Sequence, residues 1–159
     1  AADAKLRTEI QLALGAIGPA AAPATEMLIE SIGSADAGER ESALYALRQI
    51  GPGAKAAIPA LAKRMQADTS FDAEAAAWAL ARIARDDAAM KAAVIAKLHK
   101  GIASTDEQTQ LESIEAIADM GAVSQVKGEL ERVAKEDGSP LVRAAAKVRT
   151  WAPPTPSPS

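Results

Sequence analysis

LALGAIGPAA (residues 12–21), YALRQIGPGA (45–54) and WALARIARDD (78–87) write one pattern three times at intervals of 33: a large apolar residue, Ala-Leu, two variable positions and Ile. Self-similarity at a fixed period marks a chain that stacks copies of one unit. Counting back from Ile17, residues Leu14, Ala13, Ile10 and Leu6 lie 3, 4, 7 and 11 positions earlier, a single apolar stripe on a helix turning 100° per residue. Gly18-Pro19 stops that helix. A second helix follows, with Met27, Leu28 and Ile32 on its apolar face, and ends at Gly33.

The unit recurs along the chain. Ala43, Ala46, Leu47 and Ile50 precede Gly51-Pro52, and Ile58, Leu61, Ala62 and Met65 mark the partner helix. Ala76, Ala79, Leu80 and Ile83 line the third first-helix, with Met90, Val94, Ile95, Leu98 and Ile102 on its partner. A fourth copy places Ala116, Ile117 and Met120 before Gly121, then Val126, Leu130 and Val133. Ile17, Ile50, Ile83 and Met120 are thus spaced 33, 33 and 37. Asp36 with Glu39 and Ser104 with Glu107 have capping-box spacing at helix starts, and Ser139-Pro140 places a cap before proline at the first helical position. LVRAAAKVRT (141–150) then begins a fifth first-helix, and the four prolines of the following tail favour an extended strand.

Alanine fills 40 of 159 positions and aromatics only 3%, so the core is predicted to form by close approach of helix backbones. The net charge of −3 excludes a globally basic chain. With no cysteine, disulfides and thiolate metal sites are ruled out. No stretch reads as the roughly 20 apolar residues of a membrane helix, and no signal peptide opens the chain. The first residue, Ala1, is read as the mark of a removed leader or of a piece of a longer protein.

Helix pairs of this length, closed by Ala-Leu-x-x-Ile-Gly at Ala13–Gly18 and Ala46–Gly51, with Arg7 and Arg40 in the place of a frequent Val-Arg, resemble the HEAT repeat. The resemblance is to the short bacterial form, the phycobilisome-lyase HEAT-like repeat. Copies three and four depart from it: Ala84 replaces the glycine in the third, and neither has the arginine. The resemblance implies an all-α fold: a right-handed α-α superhelix, or solenoid, of about four HEAT-like helix pairs plus a terminal helix. The repeats then span about 3–34, 36–68, 70–104 and 105–137, with a final helix at 139–151 and a Pro/Ser-rich tail at 152–159.

Little in the chain supports catalysis. The one histidine, His99, lies on the flank of the Ile95–Ile102 stripe and reads as a partly buried edge residue; it cannot assemble a zinc site alone. No Gly-rich phosphate loop or calcium loop is present. Asp86-Asp87 falls where the third pair turns and reads as a helix cap. No cofactor and no enzymatic activity are expected.

Two surface features remain. Leu12, Tyr45 and Trp78 lie five residues before the anchoring isoleucines, about 140° from the centre of their own stripes, and Phe71 joins Trp78 two turns away. They form an outer apolar row that either touches neighbouring repeats or docks a partner. In HEAT arrays the second helices line the concave face, where Lys63, Arg64, Lys91, Lys97 and Lys100 are expected to form a basic patch, while Asp106, Glu107, Glu112, Glu115 and Asp119 gather on the fourth first-helix.

The reading is a protein–protein interaction or scaffold module, part of a larger bacterial protein or assembly. Its partner is another protein or the rest of its parent chain. Two alternatives are an accessory repeat domain C-terminal to a hydrolase such as a sulfatase, and a binder of nucleic acid or another polyanion through the basic face. Few cations without interleaved aromatics argue against nucleic acid. A phycobilin lyase subunit is suggested by the family name alone. The compartment, cytoplasmic or exported, is left open.

Overall fold

The computed structural model describes residues 2–67 and 70–150, all-α throughout. Its helices are α1 (Ala2–Ile17), α2 (Thr25–Ile32), α3 (Ala37–Ile50), α4 (Ile58–Ala67), α5 (Phe71–Ile83), α6 (Ala88–Ile102), α7 (Glu107–Asp119), α8 (Lys127–Glu136) and α9 (Pro140–Thr150). The Pro/Ser-rich tail at 152–159 lies outside the described residues, as does Trp151.

The local signals behave as their chemistry demands, with one shift. Asp36 accepts from the Glu39 amide at 3.0 Å and starts α3. Ser139 accepts from Val142 at α9, and Asp87 accepts from the amides of both Ala89 and Met90 at α6. At α7 the cap is Asp106, bonded to the Thr109 amide at 2.7 Å, and not Ser104, whose hydroxyl instead accepts from the Asp106 amide. An aspartate two residues nearer the helix outcompetes the serine for the orphan amides. Gly18 and Gly51, directly after α1 and α3, and Gly121, two residues beyond α7, have φ of +70°, +69° and +64°. Side chains rarely adopt that region, so glycine is what lets the chain leave the helix there. In the first two pairs it enters a 3₁₀ segment, Gly18–Ala24 or Gly51–Ala57, with proline near its start.

The first helices pack on one another in chain order, α1 on α3, α3 on α5, α5 on α7 and α7 on α9. Each second helix packs against the first helix that follows it: α2 on α3, α4 on α5, α6 on α7 and α8 on α9. The closest helix pairs are therefore offset by half a unit from the pairs read along the sequence. Fully buried Leu28, Leu47, Leu61, Leu80, Leu98 and Leu130 run through one continuous core. Alanines at 43, 46, 76, 77 and 79 have no exposure, and they permit the close backbone approach their abundance predicts.

The stripe on α1 is the exception. Leu6, Ile10 and Ile17 are 56%, 43% and 58% exposed, Ala13 is exposed, and only Leu14 is partly covered. The side of α1 that packs on α3 carries Gln11 and Gly15 instead. Gln11 is 1% exposed and bonded at both ends of its amide: the nitrogen donates to Ser31 Oγ at 2.7 Å and the oxygen accepts from the Ser42 hydroxyl. The run Asp3–Ile32 is also long and apolar enough, by length and composition alone, to cross a membrane, contrary to the sequence reading; about 28% of its apolar window is buried and Gly18 breaks its helical path.

Charged rungs tie the first helices together. Arg7 on α1 pairs with Glu39 on α3, and Arg40 on α3 pairs with Asp72 on α5 at 2.6 Å, each 32 residues apart. The Ser34 hydroxyl, and after it the Arg7 guanidinium, hold the Glu39 carboxyl below its ordinary range, against burial. Thr109 does the same to Asp106, and Arg132 to Glu129. A carboxyl whose folded value is depressed stabilises the fold above its unfolded value and loses that contribution as pH falls through the lower folded one. Urea midpoints are therefore expected to fall on acidification below about pH 4, and Glu39→Gln to flatten that acid limb. An unchanged acid limb in the variant removes Glu39 from the account.

Candidate functional site

Four of the outer-row residues converge. Leu12 from α1, Tyr45 from α3, and Phe71 and Trp78 from α5 line one groove of about 380 Å³. Recurrence at 33 residues carries the same helical position from one first helix to the next, so the side chains fall on one side of the row. Leu44 and Ala75 complete its apolar lining, and Thr8, Glu41, Arg48, Gln108 and Glu112 form a polar rim.

Gly15 makes room for the Tyr45 ring. A Cβ at residue 15 would sit 2.6 Å from Tyr45 Cε1 and 3.3 Å from the Ala46 Cα, so a side chain there would displace the ring from its place against α1. Leu12, Tyr45 and Phe71 are 47%, 43% and 41% exposed. Trp78 is different: it is 4% exposed, so the expectation that it points outward is corrected. Its ring meets Phe71 edge to face, centroids 5.5 Å apart at 78°, and its indole N–H donates to Ser113 Oγ on α7 at 3.2 Å. Trp78 is the floor of the groove, and the other three are its walls. Ser113, completely buried at a stripe position that holds alanine in the second and third copies, was the overlooked signal: a hydroxyl in an apolar stripe needs a polar partner.

Across the floor, Arg48 of α3 reaches Glu112 of α7, bridging past α5 and closing one side of the groove. Nothing in a 64-residue separation announces that pair. It also spends one of the α7 acids; Glu115 pairs with Arg149 of α9, and Asp106 caps its own helix.

Arg64 donates to Asp72 and Ser70, and Lys97 pairs with Glu74 at 2.9 Å, only 14% of each side chain being exposed. Lys63 and Arg64 flank a cleft with Ile29 and Ile32, while Lys100 lies in another, beside Phe71 and Glu74. Lys91 is partly exposed on the first turn of α6. Two of the five expected cations, Arg64 and Lys97, are thus engaged by carboxylates. His99 is exposed in the last turn of α6, not partly buried. Among the described residues, no three His, Asp or Glu side chains are placed to hold a metal ion.

The class defined by these features is an all-helical, repeat-like protein with an apolar groove across its first helices. No family model matches the chain, and no curated protein matches it in sequence.

Proposed function

We propose that the chain is a non-catalytic protein–protein interaction module that seats an apolar segment of its partner in the groove walled by Leu12, Tyr45 and Phe71. The convergence of half-exposed large apolar side chains from three successive first helices over a rigid aromatic floor carries this reading. Such rings offer contact area at low conformational cost, and a polar rim excludes water around the anchor. The 33-residue spacing and the chain-order packing of first helices support a right-handed HEAT-like superhelix as the scaffold. Its partner is another protein or the remainder of a longer parent chain. No enzymatic activity belongs to this reading.

Capture from the source organism with the whole chain as bait tests it. Tyr45→Glu with Phe71→Glu is expected to lower partner capture at least about tenfold, since charge in the wall forces desolvation without a counter-ion. Lys63→Glu, in a different cleft, should leave capture intact. Equal capture by all three proteins, or loss only with Lys63→Glu, sinks the groove reading.

A further inference from the structure

The row that carries the groove continues beyond α5. Leu12, Tyr45 and Trp78 recur at 33 residues, and the next place in the row, 37 residues on as for Ile83 and Met120, is Glu115 of α7. Glu115 pairs with Arg149, the next-to-last residue of α9. Gln108 and Glu112, four and three residues apart on the same face of α7 as Glu115, already line the groove, and α9 packs on α7. The last turn of α9 is therefore held on the groove side of the molecule.

The residues that follow it, WAPPTPSPS (151–159), contain four prolines, one tryptophan and no charged side chain. Packed helices lie about 8–10 Å apart, so the way from α9 across α7 to the groove at α5 is about 20 Å. Nine residues of polyproline II chain span about 28 Å at about 3.1 Å each. The groove is within reach without any helix moving.

The chemistry of the two surfaces matches as well. Tyr45, Phe71 and Trp78 make the groove aromatic, and aromatic-lined grooves take proline-rich segments because a fixed φ leaves little conformational freedom to lose. Proline has no N–H, so it enters an apolar seat without leaving a donor unmet. At three residues per turn, Pro153 and Pro156 fall on one edge of such a segment. A charged segment would instead have to shed its water between the walls. A tethered segment is also presented at about millimolar concentration, so an affinity of about 1 mM fills the groove half of the time.

We propose that the C-terminal tail, residues 151–159, seats its prolines in the groove of its own molecule and holds it closed. The inference rests on the groove being a binding surface, as read above, and adds its regulation: a partner has to displace the tail.

The chain has no cysteine, so Ser159→Cys accepts a single nitroxide label. The amide NMR signals of Tyr45, Phe71 and Gln108 are expected to lose at least about half of their intensity to that label, and Ala96, exposed on α6, to lose none. Pro153→Gly with Pro156→Gly, which frees the tail, should cut the broadening at least about threefold. Tyr45→Glu with Phe71→Glu should abolish it, and the glycine pair, outside every described helix, decides the matter even if the glutamate variant unfolds. A spin-labelled chain mixed with an isotope-labelled, spin-free one should broaden nothing. Broadening across that mixture gives the groove to the tail of a second copy and overturns the proposal, as does no broadening at the groove, equal broadening at Ala96, or indifference to the two glycines. Capture separates this inference from the reading beneath it: capture lost with the two glutamates while the label broadens nothing keeps the groove and discards the tail, whereas broadening at the groove with capture indifferent to the glutamates keeps the tail and discards the partner.

Discussion

Trp78→Ala is expected to lower stability by about 3–5 kcal/mol in urea or thermal unfolding, the range for deleting a buried aromatic. Almost all of the ring is out of water, it packs edge to face on Phe71, and its N–H satisfies Ser113 on α7. The substitution opens a cavity between α5 and α7 and strips a buried hydroxyl of its donor. Tyr45→Ala, at the same helical position one copy earlier, removes a ring that is 43% exposed and should cost about 1 kcal/mol or less. This contrast separates floor from wall. A small loss at Trp78 would mean that its ring stands in the groove, and the walls would then have to be redrawn.

Asp72→Ala should cost about 2–3 kcal/mol, the largest effect expected for any charged residue here. Its side chain is 5% exposed and accepts from Arg40 of α3 at 2.6 Å and Arg64 of α4 at 3.1 Å, so one carboxylate joins three helices. Asp72 also lies in the first turn of α5, where the helix dipole favours negative charge. Without it, two arginine side chains, each less than a quarter exposed, bring their charges to one carboxylate's former place. Arg40 cannot readily swing away, because it also bonds the carbonyls of Ser34 and Ala35. Arg40→Ala should cost less, since Arg64 still holds the carboxylate, and the double variant should show clear non-additivity. Additive losses, or a loss at Asp72 no larger than at exposed Glu41, would show that the junction is not a shared one. The equivalent rung at Glu39 is weaker by the same logic, because the Arg7 side chain is 55% exposed and screened by water.

The helix ends and apolar faces were legible because they depend on neighbours within a turn or two. Gly18 and Gly51 release the chain at positive φ, Asp36 and Asp87 satisfy adjacent amides, and a period of 33 returns Leu12, Tyr45 and Trp78 to one side. The correction at α7 is of the same local kind: Asp106 and Ser104 compete within two residues for one set of amides.

By itself, then, the sequence determined which residues are helical, where the helices stop, which side of each is apolar and which side chains share a row. Only the tertiary structure decided which of those sides are covered. Ile17 and Ile50 occupy the same place in their units, yet one is 58% exposed and the other fully buried, because α1 packs beside α3 there and no described helix packs on that side of α1. Tyr45 and Trp78 are likewise equivalent by position, but α7 and Phe71 close over the tryptophan alone. Arg48 and Glu112 meet across 64 residues, and Arg64 and Lys97 leave the expected basic face for Asp72 and Glu74. Periodicity encodes the direction of a side chain on its own helix, whereas burial and pairing depend on what another helix brings to that point in space.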